Sequence, residues 1–180
     1  HFSWLHTDVA RETVYFNLNN IDHEIAKITP DGVEILKNGG NADGVILDGS
    51  RKLAPIRFLP DADPAEADRL LVDLLLNNLT CAPGDRVLIL SWLSCFLLID
   101  FAGTRPMTRF EGPAGSGKTT ASKLISALLY GEPQQKKSTD AANYTDGSQN
   151  PLIVLDNIEV KQMTEDLTTF ILTSITGIAK

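Results

Sequence analysis

Residues 112–119 read Gly112-Pro113-Ala114-Gly115-Ser116-Gly117-Lys118-Thr119. This is the full G-x-x-x-x-G-K-[ST] pattern of a phosphate-binding loop. Each fixed position has a physical task. The glycines let the backbone curl so that successive N–H groups point at phosphate oxygens. Lys118 brings a mobile positive charge to β- and γ-phosphates. The Thr119 hydroxyl is a hard oxygen ligand for Mg²⁺. A helix predicted from Thr119 to Tyr130 aims its positive N-terminus at the same anion. The candidate binding set is therefore Gly112, Pro113, Ala114, Gly115, Ser116, Gly117, Lys118, Thr119 and Thr120, with ATP and Mg²⁺ as the implied ligands and Lys118 counted among the catalytic candidates.

A second element points the same way. Leu152-Ile153-Val154-Leu155-Asp156 is an apolar run that ends in a carboxylate. A continuous apolar run suits a strand buried on both faces of a parallel sheet. A carboxylate at its C-terminal end sits where such sheets bind ligands. Asp156 is thereby assigned to hold Mg²⁺ together with Thr119.

The elements needed to position these residues follow from local pattern. Thr108, Arg109 and Phe110 close a short segment that reads as a strand leading into the loop. Ala121, Leu124, Ile125, Leu128 and Leu129 form one face of the following helix, and Gly131 stops it, with Pro133 beyond. Upstream, Asp63 caps a helix that has Pro64 at its first position and Glu66 in a capping-box-like arrangement. Leu70, Leu71, Leu74, Leu75 and Leu79 supply its buried stripe. Pro83-Gly84-Asp85 breaks the chain before a second helix, Arg86 to Phe101, apolar nearly all round and so expected to be buried on most sides. A final helix is capped by Thr164, with Leu167, Phe170, Ile171, Ser174 and Ile175 facing inward.

The first 59 residues read as β-rich. Val14, Phe16 and Leu18 alternate with Thr13, Tyr15 and Asn17, the pattern of a half-buried strand. Ile25 to Thr29, then Pro30-Asp31-Gly32, then Val33 to Leu36 reads as a hairpin. Asn38-Gly39-Gly40-Asn41 is another turn, and Val45-Ile46-Leu47 is a candidate short strand. The expected organisation is a small β-rich region over residues 1–59, a helical segment over 60–103 and an ATPase core over 104–180.

Composition narrows the setting. Hydrophobic residues make up 43% and charged residues 22% of the chain, as in ordinary globular proteins. The net charge of −7 gives no support at the level of composition for nucleic-acid binding, which demands basic surface. Two cysteines, Cys81 and Cys95, are too few for a disulfide framework, and Cys95 sits in an apolar run that reads as core. The histidines accompany no cysteine cluster, so a zinc site is not expected. The uncharged run from Val87 to Ile99 is shorter than the roughly 20 residues that span a bilayer, and no secretion signal leads the chain. The expected setting is cytoplasmic, without a membrane partner. The start at His1 fits a piece of a longer protein.

The loop at 112–119, the short interval after it, and Gln149-Asn150-Pro151-Leu152-Ile153-Val154-Leu155-Asp156-Asn157-Ile158-Glu159 resemble the P-loop ATPases of bacterial viruses and mobile elements. These are similar to superfamily 3 helicases and, more distantly, to AAA+ ATPases; the resemblance covers roughly residues 60–180. It implies an α/β fold of the P-loop NTPase class, with an ASCE/AAA+-like parallel sheet core, here truncated after Lys180. It also implies ATP hydrolysis by a nucleic-acid-dependent motor, a replicative helicase module, with single-stranded DNA and a homo-oligomeric ring as partners. AAA+ motors usually place Glu directly after the Asp that holds the metal. Here Asn157 stands there, and Asn hydrogen-bonds water without taking its proton. Asn157 is the favoured water-positioning residue and Glu159 the alternative, both counted among the catalytic candidates with Asp156. Two other classes stay open: a small-molecule or nucleoside kinase, and a nucleotide-dependent scaffold that does not hydrolyse.

Overall fold

The computed structural model describes residues 4–50, 53–101, 104, 107–133, 152–155 and 163–176. The sheet lies at the N-terminal end of the chain. It comprises β1 (Leu5–Asp8), β2 (Thr13–Asn17), β3 (Glu24–Thr29) and β4 (Gly32–Lys37). These form a four-stranded meander in the order β1-β2-β3-β4, every pair antiparallel. The predicted hairpin is present: Thr29 pairs with Gly32, leaving Pro30 and Asp31 as the turn.

The strand expected to be half buried is buried on both faces: Thr13, Val14, Tyr15 and Asn17 are all below 6% exposed. One face carries Tyr15 and Ile25 against Val45 and Leu47. The segment bearing those two valine and leucine side chains is not a further strand. Beside one backbone bond, Gly39 N to Val45 O at 3.1 Å, asparagine side chains hold it. Asn38 Nδ2 donates to Leu47 O at 2.8 Å, and Asn38 Oδ1 accepts from Leu47 N at 2.8 Å. Asn41 treats Val45 in the same way, at 2.8 and 3.0 Å. A carboxamide carries the same donor and acceptor as a peptide group, so it can replace a ladder partner.

The helices follow: α1 (Pro64–Leu74), α2 (Pro83–Cys95), α3 (Lys118–Tyr130) and α4 (Glu165–Thr176). Local signals set their starts. The Asp63 carboxylate accepts from Ala65 N at 3.0 Å with Pro64 in the first turn, and Thr164 Oγ1 accepts from Leu167 N at 3.1 Å. Glu66 does not complete a capping box; it forms a paired contact with Arg69 at 2.6 and 2.9 Å. The second helix ends earlier than expected, at Cys95, and a single 3-10 turn covers Ile99–Phe101.

Leu75, Leu76, Leu79, Ile89, Ala121 and Ile125 form the helical core, with Trp92, Phe110, Leu124 and Leu152 against it. The buried stripe expected on α1 is not formed within the helix: Leu70 and Leu74 are exposed and Leu71 is half buried, while Leu75 and Leu79 are buried just beyond its end. In α2 only Ile89 is buried, while Val87 and Leu88 face outward and Cys95 is exposed. Aromatic contacts join α2 to the sheet: Trp4 stacks on Phe96 at 5.8 Å and meets Phe16 edge-on at 5.6 Å. Among the described residues no helix is long and apolar enough to cross a membrane.

The parallel sheet expected around the phosphate loop is not what the chain forms. The sheet is the antiparallel meander of β1 to β4, and among the described residues neither flanking segment joins a parallel ladder. The reason is visible in their surroundings. Along residues 107–110, exposed Met107 and Arg109 alternate with half-buried Thr108 and Phe110, which is one-sided burial rather than the two-sided burial of a parallel strand. Residues 152–155 are half buried throughout. The backbone of Leu152 takes its hydrogen bonds from the Tyr130 hydroxyl.

Candidate phosphate-binding loop

The loop 112–119 lies at the surface and runs into the first turn of α3. Its curl is written in backbone angles that L side chains rarely adopt: Gly112 has φ +151°, Gly115 +78° and Gly117 +84°. Gly117 is the residue just before the helix, in the left-handed region, and no side chain caps the helix there. The first helical hydrogen bond, Ala121 N to Gly117 O, is 2.8 Å, and Ser116 N closes a turn on Pro113 O at 3.2 Å. The N-terminal end of α3, with its partial positive charge, therefore opens into the loop at Gly117.

Lys118 folds back over this curl. Its ammonium donates to Gly112 O at 2.8 Å, to Pro113 O at 2.7 Å and to Ser116 Oγ at 3.3 Å. Ser116, Lys118 and Thr119 are half buried while the other loop residues are exposed. The cradle is tight at one point: a Cβ on Gly112 would stand 2.7 Å from Ser116 Oγ. Nearby, Arg109 Nη2 pairs with Glu111 Oε1 at 2.9 Å, both side chains open to water.

Every loop residue singled out in the sequence thus lies in one local unit with the start of α3. Thr120 is exposed on the outer side of that first turn. Asp156, Asn157 and Glu159 lie outside the described residues. Among the described residues no group of His, Cys, Asp and Glu side chains is arranged to hold a metal ion.

Sequence reasoning missed the other end of α3. The buried residues of this helix are Ala121, Ile125, Ser126 and Tyr130, whereas Leu128 is exposed. Tyr130 is 1% exposed, and burial pushes its phenol up to about 12. Its hydroxyl accepts from Leu152 N at 3.0 Å and donates to Leu152 O. Its own carbonyl accepts from Ala54 N at 2.9 Å. The strap that includes Ala54 reaches back to the sheet, since Ile56 N donates to Leu18 O at 2.8 Å and Asn19 Nδ2 donates to Leu53 O. Nothing in the local sequence marks a tyrosine at a helix end for such contacts; they depend on partners remote in the chain.

Comparison with protein-family models, with curated proteins and with solved structures finds no match to this chain.

Proposed function

We propose that the loop 112–119 binds the phosphates of Mg²⁺-ATP and that the protein hydrolyses it. The observation that carries this reading is Lys118, folded onto the carbonyls of Gly112 and Pro113 above three glycines with positive φ. Those carbonyls hold the ammonium over the site where the loop curls. An entering polyphosphate offers it stronger, charged acceptors, so the side chain exchanges loop carbonyls for phosphate oxygens with little movement. The glycines leave room for the anion to approach the backbone, and α3 contributes its dipole.

Bound Mg²⁺ would neutralise charge on the β- and γ-phosphates. The residues available to hold it are Thr119 and Asp156, and the donor set of a hydroxyl and a carboxylate suits a hard cation. The part given to Asp156 rests on the sequence, where it closes the apolar run that begins at Leu152. Asn157, or Glu159, would orient the attacking water.

The motor role, with single-stranded DNA and a ring of subunits as partners, rests on the resemblance of loop, interval and Asp-Asn ending described above. Calorimetry of ATP binding with Mg²⁺, followed by turnover with and without single-stranded DNA, tests the reading. Binding by the wild-type chain that disappears in a folded Lys118→Ala variant is the expected result. ATP affinity left unchanged in that variant would overturn it.

A further inference from the structure

A cavity of about 340 Å³ lies between one face of the sheet and the chain that follows α2. Val14 and Ile28, partners across β2 and β3, line it from the sheet, and Leu98 and Phe101 line it from beyond α2. Trp4, stacked on Phe96 at 5.8 Å, holds the end of α2 to the sheet. We propose that this cavity binds a small organic cation, an ammonium carried on a compact apolar body, with Glu12 as its counter-ion. The proposal is independent of nucleotide binding at 112–119.

The volume falls at the small end of the roughly 300–1,000 Å³ range of ligand sites, which are mostly apolar with a few polar groups that fix orientation. The lining has that character. Among the described residues Glu12 is the only charged side chain in it. Leu98 and Phe101 are 47% and 41% exposed, so an apolar body seated against them withdraws that surface from water. The charge at the cavity is negative and available. Among the described residues no hydrogen bond or ion pair engages the Glu12 carboxylate, and the neighbouring cation, Arg11, is turned to Asp8 at 3.6 Å. Two more exposed carboxylates adjoin lining residues in sequence, Asp31 after Pro30 and Asp100 between Leu98 and Phe101. An anion would meet repulsion there, and a neutral ligand would leave Glu12 unused.

The backbone gives a second reason to assign Glu12 a ligand. It ends the 3-10 turn Val9–Arg11 in the left-handed region, at φ +50° and ψ +39°. Glycine takes that conformation without the Cβ penalty. The cap itself uses only the backbone, Glu12 N donating to Val9 O at 3.3 Å. The turn therefore has no need of a carboxylate, whereas a cation in the cavity does.

The test titrates the full chain with 2-phenylethylamine at neutral pH and follows backbone amides by ¹H–¹⁵N spectra. The neutral 2-phenylethanol and the anionic 3-phenylpropanoate carry the same ring as controls. The amine should give saturable shifts at Glu12, Val14 and Ile28, and should bind about threefold to fivefold more tightly than the alcohol, with the carboxylate weakest. Glu12→Gln should reduce the amine to the affinity of the alcohol. Glu12→Gly should do the same while raising the melting temperature, since it removes the backbone strain. Leu98→Trp, which fills the cavity from an exposed position, should abolish the shifts. No saturable shift with the amine, equal affinity for amine and alcohol, full amine affinity in Glu12→Gln, or undiminished binding in folded Leu98→Trp would each overturn the proposal.

Discussion

Ala54 sits against Gly131 so closely that a methyl group built on the glycine would stand 2.4 Å from the Ala54 Cβ. The contact belongs to the same junction as the hydrogen bond from Ala54 N to Tyr130 O, at 2.9 Å. Gly131 also ends α3 in the left-handed region, at φ +78°. It answers two demands at once, a helix stop and a close approach of the strap. Gly131→Ala should therefore destabilise the protein by about 2–3 kcal/mol, from the left-handed penalty and the clash together. Adding Ala54→Gly should restore the steric part and leave about 1–2 kcal/mol. Denaturant unfolding of the single and double variants measures both numbers, and additive effects would show that the two residues do not meet.

The loop offers a parallel case at its entrance. At Gly112, with φ +151°, an added Cβ would lie 2.7 Å from Ser116 Oγ and 3.2 Å from Ser116 Cβ. Gly112→Ala should weaken ATP binding at least about tenfold, since about 1–2 kcal/mol of backbone strain adds to the collision. Ser116→Gly in the same chain should recover part of the loss by removing the atoms in the way. Isothermal titration of the two singles and the double checks the coupling; equal losses in the single Gly112→Ala variant and the double variant would rule out the collision.

Tyr130 predicts the alkaline limb of stability. Burial raises its phenol from 10.0 to about 12. Between those values the unfolded chain releases the proton and the folded chain keeps it. The unfolded state then binds fewer protons, so stability falls as pH rises. The contribution is complete below about pH 10 and lost by about pH 12, on the order of 2–3 kcal/mol in total. Tyr130→Phe should flatten this stretch relative to wild type in urea unfolding followed from pH 9 to about 12. Tyr15, whose phenol is also raised by burial, remains in both proteins and cancels in the comparison. Parallel curves for the two proteins would contradict the assignment.

Three carboxylate and amide substitutions separate the roles given to the segment after Leu155. Asp156→Ala should abolish Mg²⁺-dependent turnover, at least about a hundredfold, because on the proposed reading the metal would lose its carboxylate. Asn157→Ala should keep ATP affinity and slow turnover. Steady-state kinetics that leave Asn157→Ala fully active and Glu159→Ala inactive would transfer the water-positioning role to Glu159.

What the sequence determined by itself is the set of features whose physics is local. The glycine, lysine and threonine spacing of 112–119 yields the curled loop and the helix start at Lys118. Asp63 and Pro64 start α1, Thr164 starts α4, and Gly131 ends α3, because each acts on backbone groups within a turn of itself. The β3–β4 hairpin is equally local, its register fixed by the Pro30-Asp31 turn. What only the tertiary structure decided is the choice of partner for groups that many partners could satisfy. An apolar run such as 152–155 carries no label saying which strand it joins, and here Leu152 pairs with a tyrosine hydroxyl instead of a parallel neighbour. Asn38 and Asn41, read as turn residues, reach on to Leu47 and Val45. The exposed leucines of α1 and the single buried residue of α2 show the same thing: periodicity identifies an apolar face, but the segments folded against it decide how much of that face leaves water.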